Sequence, residues 1–180
     1  MLQSEKLLSI RPYDPSLDFE IIKNWITNPR EHAMWCAGRT KFPIEREDFA
    51  RLLDDIAQRC GDAPFIAEDT DGKPFGFFCY SVNAESKYGM LKFVMVDPAQ
   101  RGKGYGKKML MLAVDHAFEI TGADRVKLCV LSVNAGAKRC YESVGFTYCG
   151  TDEGAFRYEN EIWDRCHMVK VNDRICGDSV

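Results

Sequence analysis

The chain has 180 residues, of which 46% are hydrophobic and 28% are charged, and its formal net charge is −3 with an isoelectric point near 5.7. This length fits one domain, residues 1–180, which buries about two-thirds of its unfolded surface in one core. The slight acidity excludes a general nucleic-acid surface, because such a surface needs a concentrated excess of Lys and Arg.

The eight cysteines and three histidines bear on redox state and metal binding. The chain opens with Met-Leu-Gln-Ser-Glu-Lys and shows no apolar signal core, so we expect reduced thiols in a cytoplasmic protein rather than a secreted disulfide framework. Cys-x-x-Cys spacing does not occur and the histidines are far apart, so no metal site is predicted. No apolar stretch approaches the roughly 20 residues of a membrane span. A soluble protein without membrane or nucleic-acid partners is expected.

The front of the chain has one apolar run followed by helical periodicity. Residues 7–11 predict a first strand, which ends at a proline-containing turn. Helices are predicted over residues 17–27, 30–37 and 44–60, because their apolar residues recur three and four positions apart. Gly61 ends the last of these helices.

From residue 64 the hydrophobic period changes to that of strands. Residues 65–68 and 75–82 predict an antiparallel pair joined by an Asp-Gly turn. The remaining elements are predicted as a strand at 91–96, a helix at 105–120, a strand at 125–133, a helix at 135–144, a strand at 146–150, a polar loop at 151–160 and a strand at 162–171. This order predicts an α+β fold with a mixed, mostly antiparallel central sheet flanked by helices.

A glycine-rich loop, residues 96–106, joins one of these strands to the helix that follows. Gly102, Gly104 and Gly106 occupy alternate positions, so consecutive backbone N–H groups can converge in front of the positive end of the helix dipole. The cations around this nest are Arg101, Lys103, Lys107 and Lys108. The pattern predicts binding of a group with more than one negative charge, such as a diphosphate.

Two familiar phosphate-binding loops are excluded by spacing. A P-loop requires Gly-x-x-x-x-Gly-Lys-Ser/Thr, but the Gly106-Lys107 pair is followed by Lys108. The dinucleotide fingerprint Gly-x-Gly-x-x-Gly fails because Lys107 and Met109 stand where its last glycine would be.

The loop does match Arg-x-x-Gly-x-Gly with Gln100 ahead of it, and in this it resembles the acyl-CoA pyrophosphate loop of the GNAT superfamily of N-acetyltransferases. Residues 134–146 resemble a second segment of that superfamily, Asn-x-x-Ala-x-x-x-Tyr-x-x-x-Gly-Phe. The resemblance is close over residues 91–150 and vaguer before residue 65 and after residue 151. It implies a single GNAT domain of the acyl-CoA N-acyltransferase fold, with its CoA-binding core at about 91–150.

The resemblance implies an N-acetyltransferase that moves the acetyl group of acetyl-CoA to a primary amine by direct attack in a ternary complex. In the superfamily the pantetheine arm enters between strands 91–96 and 125–133, and the family tyrosine, here Tyr141, gives a proton to the departing sulfur. Members are often dimers, so a homodimer is an expected alternative to a monomer. The implied cofactor-binding residues are Met95, Val96, Gln100, Arg101, Gly102, Lys103, Gly104, Tyr105, Gly106, Lys107, Asn134, Ala137 and Cys140.

The general base is left open. Some members place a glutamate on the strand equivalent to 91–96, whereas this strand offers Lys92 and no acid. A water chain or one of three acids, Glu68, Asp69 and Glu85, remains as an alternative. His167 is interpreted as a structural or exposed histidine rather than a base.

Further alternatives concern two residues, the function and the acyl chain. Asn134 is a natural N-cap for the helix that follows it as well as a candidate ligand for the cofactor. Cys140 is not paired with a histidine, so a covalent route is disfavoured. The rival function is a non-catalytic acyl-CoA-binding or sensor domain, and a longer acyl chain is a second alternative.

Overall fold

The computed structural model describes residues 8–173. Its strands are β1 (Ser9–Pro12), β2 (Ala63–Glu68), β3 (Pro74–Asn83), β4 (Tyr88–Val96), β5 (Arg125–Leu131), β6 (Thr147–Tyr158) and β7 (Glu161–Val171). Its helices are α1 (Phe19–Ile22), α2 (Pro29–Cys36), α3 (Arg46–Cys60), α4 (Tyr105–Asp115) and α5 (Ala135–Ser143). Leu7, the first residue of the predicted first strand, lies outside the described residues.

The strands form one sheet in the order β1-β2-β3-β4-β5-β7-β6. Only the β4–β5 pair is parallel within residues 8–173, and the other neighbours are antiparallel. The predicted α+β class, with a mixed and mostly antiparallel sheet, is confirmed. The parallel ladder is short: it begins at Tyr88 opposite Arg125 and ends at Leu91 opposite Leu128.

Helices cover both faces of the sheet, because alternate strand residues point to opposite sides. On one face α1–α3 bury a cluster that includes Phe49, Phe77 and Met95. On the other face α4 and α5 bury a larger cluster around Met109 and Phe146. The central strands are therefore buried on both sides, which fixes the position of β4 and β5.

A β-bulge interrupts β4 in the middle of its length. The β3–β4 register shifts between the pairs Phe77–Met95 and Cys79–Lys92, and Phe93 has a φ of 53°. The Phe93 carbonyl accepts a hydrogen bond from Trp35 Nε1 at 2.9 Å. A bulge adds a residue and bends the strand locally, so β4 turns away from β5 beyond the short parallel ladder.

The prediction of a polar loop at residues 151–160 is wrong. These residues continue β6 as far as Tyr158, and β7 begins at Glu161. The polar composition misled the prediction because β6 is an edge strand, and an edge strand tolerates exposed polar residues on both faces. A register shift between Asp152 and Phe156 accommodates the polar stretch within the ladder.

Other boundaries differ by local winding. The predicted helix at 17–27 is a short α1 followed by a 3₁₀ turn, Lys23–Trp25. The predicted helix at 105–120 changes from α to π winding over His116–Ile120. The predicted strand at 125–133 ends two residues early, at Leu131.

None of the helices within residues 8–173 is long and apolar enough to cross a membrane. In the same range the structure groups no His, Cys, Asp and Glu side chains as a metal site would require. The seven cysteines of the described chain are free, and Cys176 lies outside it.

Candidate active site

A cavity of about 680 Å³ lies where β4 and β5 separate, and we call it the slot. Beyond Leu91 and Leu128, the facing edges of the two strands have no ladder partner in the described part of the chain. The slot is lined from both faces of the sheet, by Met34 and Trp35 of α2 and by Leu110 of α4. It therefore passes through the sheet.

The glycine loop closes one end of the slot. Asp97 accepts a hydrogen bond from the Ala99 N–H at 2.9 Å, which forms the turn at the end of β4. Gly104, the N-cap of α4, has a φ of 83°, a backbone conformation that favours glycine. The first intrahelical bond runs from the Lys108 N–H to the Gly104 carbonyl, so the N–H groups of the preceding turn have no acceptor within the helix. They are free to bind an anion.

Gly106 allows α4 and α5 to approach each other at this end. A Cβ at Gly106 would lie 3.2 Å from Cys140 Sγ and 3.6 Å from Val96 Cγ2. A larger residue would therefore push into the wall of the slot.

The Arg101 side chain connects the loop to the front helices. Its Nη1 lies 3.1 Å from Glu31 Oε1 on α2, and its Nη2 donates to the Trp25 carbonyl at 3.2 Å. Nε also donates to the Val96 carbonyl at 3.2 Å. Arg101 lines the slot, and with these contacts it also positions α2 relative to β4.

Helix α5 supplies the opposite wall. Its N-cap is Asn134, whose side chain accepts a hydrogen bond from the Ala137 N–H at 3.1 Å, so the capping role is realised while Asn134 also lines the slot. Ala137, Cys140 and Tyr141 line the same wall because they share one face of the helix. Tyr141 is 6% exposed.

Burial shapes the protonation of the groups in this wall. It raises the pKa of Tyr141 well above its ordinary value, with smaller contributions from Cys140 and Cys129. Burial also raises the pKa of Cys140, against an opposing effect of Lys107. Both side chains are therefore protonated at neutral pH.

Most of the sequence-predicted site residues come together around the slot. Those that line it are Met95, Val96, Arg101, Gly102, Gly104, Gly106, Lys107, Asn134, Ala137, Cys140 and Tyr141. Gln100, Lys103 and Tyr105 lie in the same loop but outside the lining. The Tyr105 ring packs 4.9 Å from Phe75, centre to centre, which makes it part of the support of the loop.

The hairpin of β6 and β7 flanks the front side of the slot, next to α2. Arg30 at the start of α2 pairs with Glu161, and its guanidinium carbon lies 5.0 Å from the centre of the Trp163 ring. Arg30 and then the Trp163 N–H lower the pKa of Glu161 to about 2. This cluster, which was not predicted, fixes α2 against the hairpin.

The acids considered as a general base lie elsewhere. Glu68 accepts a hydrogen bond from Arg11 Nε at 2.6 Å, and Asp69 stabilises the β2–β3 turn by accepting from the Lys73 N–H. Glu85 lies in the turn between β3 and β4. None of the three is among the residues that line the slot.

Sequence reasoning missed a group of three side chains beside the slot. Cys129 Sγ lies 3.2 Å from His167 Nδ1, and His167 Nε2 lies 2.9 Å from Asp152 Oδ2. Cys129 lines the slot. Alternation along β5 and β7 was the available signal, but it could not show that Cys129 pairs with His167 in the ladder.

Comparison with solved structures identifies the class of fold. The structure matches spermidine N-acetyltransferase from Vibrio cholerae, solved in complex with CoA and spermine, with a TM-score of 0.77 and 20% sequence identity over 94% of this chain and 98% of that chain. The architecture is therefore the GNAT fold.

Two curated relatives match the sequence more closely over part of its length. Streptothricin acetyltransferase from Streptomyces lavendulae is 36% identical over 93 residues, which are 52% of this chain and 49% of that protein. Mycothiol acetyltransferase from Beutenbergia cavernae is 30% identical over 128 residues, 67% of this chain and 42% of that protein. The matched region thus spans half or less of these relatives. The model of the acetyltransferase (GNAT) family matches residues 19–146, and the chain belongs to that family.

Proposed function

We propose that this protein transfers the acetyl group of acetyl-CoA to a primary amine by direct attack in a ternary complex. The observation that carries the proposal is the slot, which joins an anion nest at one end to an opening beside α2 through a gap between two parallel strands. In a molecule such as acetyl-CoA, the diphosphate would bind the nest, the amide-bearing arm would occupy the gap between the strands, and the terminal thioester would reach the opening beside α2.

The unpaired edge of β4 would bind the arm. An extended chain that enters between separated strands can pair with their free backbone groups, as in β-augmentation. Met95 and Val96 lie on that edge, between the bulge and the glycine loop. A β4 backbone N–H that points into the slot would also stabilise the oxyanion that forms when an amine attacks the thioester, which is usually a large contribution in acyl transfer.

Tyr141 is the proposed proton donor to the departing sulfur. Its hydroxyl makes no hydrogen bond to another described residue. The side chain faces the slot, in which the thioester is proposed to bind. An ordinary tyrosine has a pKa of about 10 and a free thiol about 8.5, so full transfer to a thiolate in water is uphill. Burial raises the pKa of the Cys140 thiol in this slot as it raises that of Tyr141, so a thiolate that departs here is a stronger base than it is in water.

The acceptor amine would enter from the α2 side. The names of the similar proteins suggest candidates, namely streptothricin, precursors of mycothiol, spermidine and spermine. Each is a starting compound for an acceptor panel.

The test combines calorimetric titration with acetyl-CoA and release of free CoA thiol across that panel. In Tyr141→Phe we expect kcat to fall about 100-fold, the lower end for loss of a general acid, with the affinity for acetyl-CoA unchanged. The exposed Tyr148 gives a matched control, because within residues 8–173 its hydroxyl bonds only to Thr151 on the same strand. Tyr148→Phe should retain full turnover.

The rival function is a non-catalytic acyl-CoA-binding domain. It is favoured by one observation, which is that Lys92 stands on β4 where some members of the superfamily have a glutamate. Binding of acetyl-CoA without turnover on any amine of the panel would support this rival. Absence of binding would contradict both functions.

A further inference from the structure

The group formed by Cys129, His167 and Asp152 has the geometry of a nucleophile, its base and an orienting acid. The distance from Cys129 Sγ to His167 Nδ1 is 3.2 Å, and that from His167 Nε2 to Asp152 Oδ2 is 2.9 Å. A carboxylate can only accept a hydrogen bond, so Nε2–H is the donor to Asp152, and in that tautomer Nδ1 presents its lone pair to the thiol. Asp152 thus selects the tautomer that can take a proton from Cys129.

The β5–β7 and β7–β6 ladders fix the backbone positions of these three residues. Cys129 is directly opposite His167, and His167 is opposite Gly150 on β6. The three side chains therefore lie on one face of three adjacent strands. Leu128 and Val130 belong to the core under α4 and α5, so Cys129 points to the other face, toward α2.

Cys129 is also placed where the reactive end of the acyl-CoA would arrive. Leu128 is the last β5 residue that pairs with β4, and Cys129 is the next residue along the strand. Cys129 therefore lines the slot at its narrow end, where the two strands begin to separate. The anion nest lies at the opposite, wide end, after Val96. A molecule anchored there by its diphosphate would extend its thioester toward Cys129.

The thiol needs a base to react. Burial raises the pKa of Cys129, and Arg165 and Lys127 only partly offset this effect, so at neutral pH the group is a thiol. A thiol is a weak nucleophile until its proton is removed. Cys140 lines the same slot and is also protonated, but no histidine of the described chain contacts it. Of these two thiols, Cys129 is therefore the one with a base beside it.

We propose that Cys129 is a second acyl acceptor, which takes the acyl group of a bound acyl-CoA when no amine is present. The Sγ–H proton passes to His167 Nδ1, and Sγ attacks the thioester carbonyl carbon. The bond from that carbon to the CoA sulfur then breaks, and the departing thiolate receives the proton. The products are S-acyl-Cys129 and free CoA. One thioester replaces another, so no oxidant or further reactant is required.

This inference rests on the acyl-CoA binding of the proposed function but not on its amine chemistry. Cys129 faces α2, the side from which the amine is proposed to enter, so a bound amine would compete with Cys129 for the thioester carbonyl. Self-acylation is therefore expected to slow as amine is added.

The experiment is incubation of the full chain with acetyl-CoA alone, followed by peptide mass mapping. We expect the mass of one acetyl group on the peptide that contains Cys129, removable by hydroxylamine as a thioester, and none on the peptide that contains Cys140. Cys129→Ala should eliminate the label, and His167→Asn should slow its appearance about 100-fold, as expected for loss of a general base. Cys60→Ala changes an exposed cysteine at the end of α3 and should leave labelling unchanged.

The outcomes separate this inference from the proposed function. Calorimetry and amine turnover are measured on the same sample. If acetyl-CoA binds and an amine is acetylated, but Cys129 stays unmodified or labels no faster than the exposed cysteines, the inference is overturned and the proposed function stands. If acetyl-CoA does not bind, both fail.

Discussion

Asp62 is fully buried next to the slot and pairs with a lysine of the slot wall. Its Oδ2 lies 2.6 Å from Lys92 Nζ, while Oδ1 has no hydrogen-bond partner in the described structure. The carboxylate therefore depends on Lys92 for its compensating charge. Removal of one partner of a buried pair leaves an uncompensated charge in the interior.

Lys92→Met should consequently lower the free energy of unfolding by about 3 kcal/mol, the lower end for breaking a buried pair. Urea denaturation measures the change. Lys87→Met is the matched control, because Lys87 is exposed and its Nζ lies 4.0 Å from Asp124. An exposed pair contributes about 0.5 kcal/mol. Equal losses in the two variants would contradict the buried role of Asp62.

Gly104 gives a second prediction for a single residue. In Gly104→Glu a carboxylate would stand at the start of α4, where the nest would bind a diphosphate, and repulsion should eliminate acetyl-CoA binding in calorimetry. Gly72→Glu controls for backbone strain, since Gly72 has a φ of 79° against 83° for Gly104 and both positions are open. Unchanged affinity in Gly104→Glu would contradict the assignment of the loop.

At the scale of elements, α4 packs directly on β3. A Cβ at Gly76 would lie 2.2 Å from Sδ of Met109, which is completely buried. The Met109 side chain would have to shift within a packed core to admit the added methyl group, so Gly76→Ala should destabilise the protein by about 2 kcal/mol through overpacking. Thermal unfolding measures the change.

Gly136 is the comparison for that substitution. It lies within α5, and the atom nearest to a Cβ added at this position would be Asn134 Oδ1, at 4.0 Å. Gly136→Ala should stabilise the fold by about 0.5 to 1 kcal/mol through helix propensity. A loss of stability in both variants would point to a general intolerance of larger residues instead.

Some elements were predictable because their signals are local. The glycine loop, the capping role of Asn134 and the wall formed by Tyr141 depend on spacing within one loop or one helix, and the structure has them together. The length of β6 was not predictable, because its polar residues are explained only by its place at the edge of the sheet. The contact between Cys129 and His167 depends on the register of strands 38 residues apart, which periodicity does not determine.

The molecule as a whole should lose stability at alkaline pH. Burial raises the pKa of Tyr13 to about 12, and Asp18 adds to this effect while Arg46 opposes it. Burial also raises the pKa of Tyr80 and Tyr141. Between the ordinary tyrosine pKa of about 10 and these higher values, the folded state binds more protons than the unfolded state, so stability falls as pH rises.

Tyr13→Phe tests the contribution of one of these groups. The variant removes a titrating hydroxyl but keeps the ring, which packs edge-on against Phe49 and Phe77. Its melting temperature should decline less steeply than that of the wild type between pH 10 and about 12. Tyr148→Phe, at an exposed tyrosine, should follow the wild-type curve. Parallel curves for Tyr13→Phe and wild type would contradict the raised pKa.

The short parallel ladder between β4 and β5 divides the sheet into two parts, β1–β4 and β5–β7–β6. Pairing across this boundary covers only residues 88–91 and 125–128, whereas the neighbouring ladders run along most of their strands. A mechanical load that separates the two parts would act first on that short ladder, and the sheet would open about it as about a hinge. This boundary is also where the cofactor is proposed to enter, so a bound arm that pairs with both strands would hold the two parts of the sheet together.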